Sequence, residues 1–277
     1  HSRFLLRPSQ RVNGLIVGVL ARAVERFDVQ LYAMCFLSNH YHLLLSSKDA
    51  ATLASFMQYV GSNIAREVGR HHKWREKFWS RRYYASAVLD EAAQEDRMRY
   101  ILANSVKEGL VKHPRYWPGV HCYRHLVEGT QLRGIWIDRT AKYLMPHMSE
   151  RELTTNYTLK LAKLPCYQHL NDFEYRGVIL ELANEALAEC DVSKSPVGQK
   201  RILAMDPHTK PEKIDKSPAP LCHSGCPNKK RKFKAAFRAF VSDYKAAYQA
   251  LLRENLTAVF PDGAIPPTAW CVSLNPG

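Results

Sequence analysis

No window of 18 apolar residues occurs in the 277-residue chain, which excludes a hydrophobic membrane-spanning helix. Nothing near the start has the charged, apolar and small-residue blocks of a secretory signal. The phosphate-loop string G-x-x-x-x-G-K-[ST] is missing, so a nucleotide-hydrolysing motor is not indicated. The seven cysteines are odd in number and scattered. That pattern argues against a disulfide framework and fits reduced thiols in the cytoplasm. Acid is the other shortage. Against 40 Lys+Arg stand only 26 Asp+Glu, leaving a formal charge of +14, and such a balance points to a polyanionic partner, most commonly nucleic acid. A hydrophobic share of 46% supplies a buried core, and the length fits a core domain with an extension. There is no internal repeat. The chain opens at His1 and ends at Pro276-Gly277, and the expectation is a fragment with residues missing upstream.

Hydrophobic spacing predicts the elements of the first half. Ser9 caps a helix whose apolar positions Val12, Leu15, Ile16, Leu20, Val24 and Phe27 recur at helical intervals. Residues 29–36 are dense in strand formers, a turn follows at Leu37-Ser-Asn39, and 40–46 return as a second strand. Asp49 then caps a helix over 50–70, a third strand is expected over 83–89, and Asp90 caps a helix over 91–107 closed by Gly109. This order argues for an α+β domain, one sheet face covered by helices. Further on, residues 172–190 read as an amphipathic helix, and a last helix runs to about Glu254 with Phe233, Phe237, Phe240, Tyr244, Tyr248 and Leu251 on one face.

Chemistry is concentrated in Leu37-Ser-Asn-His-Tyr-His-Leu-Leu44. Side chains alternate across a strand, so His40 and His42 share a face, about 7 Å apart, while Tyr41, Leu43 and Leu45 take the other. Two imidazoles so placed form half of a divalent-metal site. On the 91–107 helix, Tyr100 and Asn104 are four residues apart and share a face. A tyrosine with histidines and a metal has one joint use: its phenolate attacks a phosphodiester. The two histidines and the Asn104 carboxamide would hold Mg²⁺ or Mn²⁺, and cationic surroundings would favour a phenolate whose reference pKa is near 10. The product is a covalent 5′-phosphotyrosine and a free 3′-OH, which keeps the bond available for rejoining.

The string Phe36-Leu-Ser-Asn-His-Tyr-His-Leu-Leu-Leu45 resembles the HUH (His-hydrophobe-His) motif of single-tyrosine transposases. The string Arg99-Tyr-Ile-Leu-Ala-Asn-Ser-Val-Lys-Glu-Gly-Leu-Val111 resembles their Tyr-x-x-x-Asn/Gln helix. Trp79-Ser-Arg-Arg-Tyr-Tyr84, just before that helix, is similar to the Trp-x-x-Arg-(aromatic) segment of the REP-associated branch. The resemblance spans roughly residues 10–122. It implies a ferredoxin-like (RRM-like) catalytic domain that nicks and rejoins single-stranded or hairpin DNA as a monomer or homodimer in a bacterial cytoplasm. Tyr100 would be the nucleophile, with His40, His42 and Asn104 as metal ligands. Two features depart from the family: Ser105 stands where relatives usually have Pro, and the first core strand is not found ahead of the first helix.

Residues 71–84 mix five Lys/Arg with five aromatics. Lys73, Arg75, Lys77, Arg81 and Arg82 can follow phosphates, with Trp79, Trp74 and Phe78 as stacking faces, and Lys107 lies two turns beyond Tyr100. Core anchoring of Trp79 and Phe78 is the competing reading. Cys222-His-Ser-Gly-Cys226, with His208 upstream, lacks a second pair at finger spacing, so zinc is not favoured. Lys229-Lys-Arg-Lys232 with Lys234 adds either backbone affinity or a plain basic helix start. The expected organisation is a catalytic domain over 1–125, a mostly helical extension over 126–190, a Pro/Ser/Lys-rich linker over 191–232 and a basic, aromatic helix and tail over 233–277. Besides a transposase, the motifs admit a replication initiator or relaxase, a catalytically silent DNA-binding protein, or a water-using metal hydrolase. The last would want carboxylates that the sequence does not place beside the histidines.

Overall fold

A computed structural model describes residues 3–191, 193, 195–211, 219–253 and 257–267. The rest of the expected linker and tail, including Glu254, lies outside the described residues. The first half follows the pattern of its caps. Helix α1 (Gln10–Arg26) starts where the Ser9 hydroxyl accepts the Val12 N–H at 3.1 Å. Strands β1 (Val29–Phe36) and β2 (Tyr41–Ser47) form an antiparallel hairpin. Helix α2 (Ala50–His71) begins at Asp49, whose carboxylate accepts from Thr52 N at 2.7 Å. Helix α3 (Glu91–Lys107) begins at Asp90, which accepts from Ala93 N at 3.0 Å. Each cap satisfies one backbone donor that the first helical turn leaves without a partner.

β1 is buried at seven of its eight positions, as a strand covered on both faces must be. β2 occupies one edge. On the other edge Phe36 N donates to Val120 O, Cys122 N to Met34 O, and Ala162 N to Leu31 O, at 2.8–2.9 Å. Helices lie on both faces of the hairpin, a correction to the expectation of one covered face. Trp79 donates its indole N–H to Gly61 O of α2 and packs edge-on against Tyr41, on one face. Asn104 of α3 reaches Cys35, the cross-strand partner of His42, on the other. The reason is α3's own buried stripe, Met98, Ile101, Leu102 and Asn104, which needs a surface to cover it.

The expected third strand over 83–89 is a second difference. Only β3 (Ala87–Val88) forms, and it pairs in parallel with β6 (Cys222–His223) rather than with the β1–β2 hairpin. Asp90 explains the choice of partner. Its carboxylate, besides capping α3, accepts from the Ser224 hydroxyl and from Gly225 N at 3.1 Å. Those donors pull the carboxyl down to about 2.

Beyond α4 (Tyr123–Glu128) the extension holds a hairpin that periodicity did not reveal, β4 (Leu132–Ile137) with β5 (Thr154–Leu159), enclosing α5 (Arg139–Leu144). Helices α6 (Asp172–Ala188), α7 (Gln199–Ala204) and α8 (Pro227–Leu252) follow. β4 crosses α1 at backbone contact: a Cβ on Gly18 would sit 2.0 Å from Ile135 O, and one on Gly134 2.1 Å from Gly18 N. α1 is accordingly buried without a break from Leu15 to Ala21, the mark of a helix covered all round. An ion-pair network fastens the same junction. The Arg139 guanidinium holds the buried Glu67 carboxylate of α2 at 2.6 and 3.0 Å and Glu150 at 2.8 Å, while Glu150 also meets Arg11 of α1. A buried carboxylate needs such a partner to offset its lost hydration.

Gly18→Ala should therefore destabilise the fold by about 3 kcal/mol, since backbone atoms cannot move aside. Gly14→Ala, whose Cβ would meet only the Ile135 side chain at 3.4 Å, should be neutral or slightly stabilising because alanine is the better helix former. Urea unfolding of the two variants checks this; equal losses would place the close approach elsewhere.

Candidate active site

The register of the β1–β2 hairpin positions the site. Cys35 stands opposite His42 and Phe36 opposite Tyr41, so Cys35 and His42 point to one face and Phe36 and Tyr41 to the other. Phe36 and Tyr41 stack at 4.9 Å between ring centroids, which anchors the strand from behind. On the front face the imidazoles of His40 and His42 meet edge-to-face at 5.1 Å. His40 lies one residue ahead of β2, in the turn that Leu37 N closes by donating to His40 O at 2.9 Å. Its Nδ1 is 2.7 Å from Asn39 Oδ1. With that amide oxygen as acceptor, Nδ1 carries the proton and Nε2 carries the lone pair, the tautomer a metal ligand needs.

Helix α3 completes the site from above. The Tyr100 ring meets His42 edge-to-face at 5.2 Å, so His40, His42 and Tyr100 form a continuous row. Asn104, one turn on, is fully buried, and its Oδ1 lies 3.9 Å from Cys35 Sγ. Two cations lie close to the tyrosine: the Arg97 guanidinium, ion-paired to Asp96 at 2.6 Å, is 5.2 Å and the Lys107 ammonium 5.3 Å from the ring centroid. The phenol is half-buried, and burial raises its pKa above the ordinary value, with Glu108 adding to the rise. The Asn104 amide nearby and the charge of Arg97 oppose that rise. The expectation of a phenolate favoured by its cationic surroundings is thus only partly met: desolvation is the larger effect, and the resting hydroxyl is protonated at neutral pH.

The structure brings together His40, His42, Tyr100, Asn104 and Lys107. The basic segment divides. Lys73, Arg75, Lys77, Arg81 and Arg82 are exposed, and Ser80 lies with Arg3 and Asn39 around a small cleft beside the His40 turn. Trp79 is not a free stacking face: its indole is engaged by Gly61, Tyr41 and Phe78, so packing prevails there. Trp74 likewise packs against His208 and the Arg3 guanidinium. That contact takes His208 into another cluster from Cys222 and Cys226, and no group of three or more His, Cys, Asp or Glu that could hold a metal occurs among the described residues. Sequence reasoning assigned no role to Asn39 or Arg97. The signal for Arg97 was its spacing of three from Tyr100 on a helix; for Asn39 it was only adjacency.

Arg97→Gln should raise the Tyr100 pKa further, because it removes a charge that stabilises the phenolate. A pH titration of the Tyr100 ¹³Cζ resonance reads this directly. A midpoint that stays put or falls would remove Arg97 from the site's electrostatics.

Comparison with known proteins gives the same direction. Residues 9–104 match the family model described as "Transposase IS200 like". A curated protein of Haemophilus influenzae named as a REP-associated tyrosine transposase is 26% identical over 104 residues, covering 34% of this chain and 59% of that protein. The chain thus spans about three-fifths of the length of the curated relative it matches. No solved structure matches the chain. The matched segment begins at the cap of α1 and ends at Asn104, so the part of this chain that is similar to the IS200-like transposase family contains both histidines and the tyrosine.

Proposed function

We propose that the chain is a metal-dependent single-tyrosine transposase that cleaves and rejoins single-stranded or hairpin DNA. The observation that carries this reading is the row His40–His42–Tyr100, with rings 5.1 and 5.2 Å apart and contributed by two different elements. Neither a packing role for the histidines nor an ordinary helix tyrosine requires such an alignment. The hairpin flanked by α1 and α2, with a further backbone pairing on the open edge of β1, supports a ferredoxin-like arrangement for this domain.

In the cleavage step the Tyr100 hydroxyl oxygen attacks the phosphorus of the scissile phosphodiester. The bond from phosphorus to the 3′ oxygen breaks, the 3′ oxygen takes a proton and becomes a free hydroxyl, and Tyr100 holds the 5′ phosphate. Rejoining is the reverse attack by a 3′-OH, which restores the phenol. Arg97 and Lys107, 5.2 and 5.3 Å from the ring centroid, suit the negative charge that builds on the phosphate oxygens. Asn104, buried against Cys35 one helical turn on, fixes the stretch of α3 from which the phenol projects. Burial of the phenol keeps it protonated until substrate and ion are in place.

The donor set fits a divalent ion. His40 has its proton on Nδ1 by way of Asn39 and His42 lies beside it, while the Asn104 carboxamide oxygen, one helical turn from Tyr100, faces the Cys35 thiol at 3.9 Å and would have to exchange that contact for the ion. Two nitrogens and one oxygen leave the remaining positions to water and phosphate oxygens, which suits Mn²⁺ or Mg²⁺. When bound, the ion neutralises charge on the scissile phosphate and favours the phenolate.

Incubating the protein with end-labelled single-stranded DNA and Mn²⁺ should give a covalent protein–DNA adduct. Tyr100→Phe should abolish the adduct while binding and fold persist, and His42→Ala should lower it by at least 100-fold. An adduct retained by Tyr100→Phe would move the nucleophile to another residue, with Tyr83 and Tyr84 next in line.

A further inference from the structure

Helix α8 is 26 residues long, yet only Ala247 on it is buried. It carries seven Lys/Arg and a single acid, Asp243. Four of the cations, Arg231, Lys234, Arg238 and Lys245, are separated by three, four and seven residues, the spacing of one helical face. All four are exposed, and Ser242 and Gln249 continue the same face. At 1.5 Å per residue the stripe is a straight line of positive charge about 21 Å long, and Asp243 lies roughly 150° around the helix from it. The aromatic stripe is placed about a third of a turn away. There the chain's own tail folds back, with Phe260 against Tyr244 at 5.2 Å. The aromatic side is thus partly covered from within, and the basic side is left facing outward.

The start of α8 is fastened to the tyrosine helix. Ser224 and Gly225 donate to Asp90, the cap of α3, and Cys222–His223 pair with Ala87–Val88. Burial holds the His223 imidazole pKa below its ordinary value, with Arg97 and Lys230 adding to that and Asp96, ion-paired to Arg97 at 2.6 Å, opposing it. The link between the two regions is thus the Asp90 cap and the β3–β6 pairing, which tie the first turn of α8 to the first turn of α3.

We infer that the Arg231–Lys234–Arg238–Lys245 face of α8 is a second DNA contact, binding the duplex stem next to the single strand that enters the tyrosine site. A rigid rod of cations matches the groove and phosphates of a duplex, which admits an α-helix, better than a flexible strand. Charge complementarity and continuity with the Tyr100 site support this occupant; the inference rests on the DNA reading of that site.

The test uses the full chain and a fluorescent DNA hairpin carrying a single-stranded flank, with the flank alone as a second probe, in a KCl series. Replacing the four cations by glutamine should weaken hairpin binding and make the slope of log affinity against log salt shallower by about 3 to 4, since each phosphate contact contributes about 0.9. Binding of the flank alone and adduct formation on it should be unchanged. Arg238→Gln alone should flatten the slope by about 1, and circular dichroism verifies the helix in both variants. A control removes four exposed cations elsewhere, Lys48, Arg133, Lys160 and Lys200, and should leave the slope as in wild type. A hairpin slope equal in the stripe variant and the control, with flank binding and adduct intact, would overturn the inference and leave the active-site reading standing. Loss of binding to anionic phospholipid vesicles, but not to hairpin, would assign the face to a membrane surface and overturn it too. If the wild-type chain binds neither probe, both readings fail together.

Discussion

One pairing governs the arrangement of this protein: Cys35 opposite His42 in the β1–β2 hairpin. It sends His42 and Cys35 to the face that α3 covers and puts Tyr41 and Phe36 against α2 and Trp79. A shift of the register by one residue would exchange the two faces. The histidines would then enter the apolar core and the tyrosine helix would rest on Tyr41 and Leu43. The anchor against that slip is hydrophobic, since Phe36, stacked on Tyr41, is among the most deeply buried side chains.

The second constraint is helical. Arg97, Tyr100, Asn104 and Lys107 recur at intervals of three and four, so whatever fixes one fixes the rest. Asn104 is the fixed point, buried against Cys35. Tyr100 is therefore held one turn away, at the rim, where it is half-buried and meets His42. This division gives the site a buried base and a half-buried edge. It also explains the raised phenol pKa, because the environment that orients the hydroxyl withdraws it from water.

The parts of this design that are written locally were legible in the sequence. Ser9, Asp49 and Asp90 each cap the helix they were expected to cap, and the two-residue period of the His-x-His segment put both histidines on one face. Non-local pairings were less accessible. Nothing in residues 83–89 says that two of them pair with Cys222–His223, because the decisive donors, Ser224 and Gly225, lie more than 130 residues away. The β4–β5 hairpin was missed because it rests on a buried helix through Gly18 and Gly134, and a glycine read alone does not name its partner. Trp79 was open to two readings, and its indole bond to Gly61 settles it in favour of packing.

On the proposed function, the two histidines and the tyrosine share one metal-dependent site. Titrating Mn²⁺ into protein with ¹³C-labelled His and Tyr rings tests it most directly, since the paramagnetic ion broadens nearby resonances. His40, His42 and Tyr100 should broaden together and before His71, His72, His208, Tyr83 or Tyr84, and His40→Ala should remove the effect. Broadening that begins at the His71–His72–His208 cluster, or that leaves Tyr100 sharp while His40 and His42 broaden, would contradict a shared site.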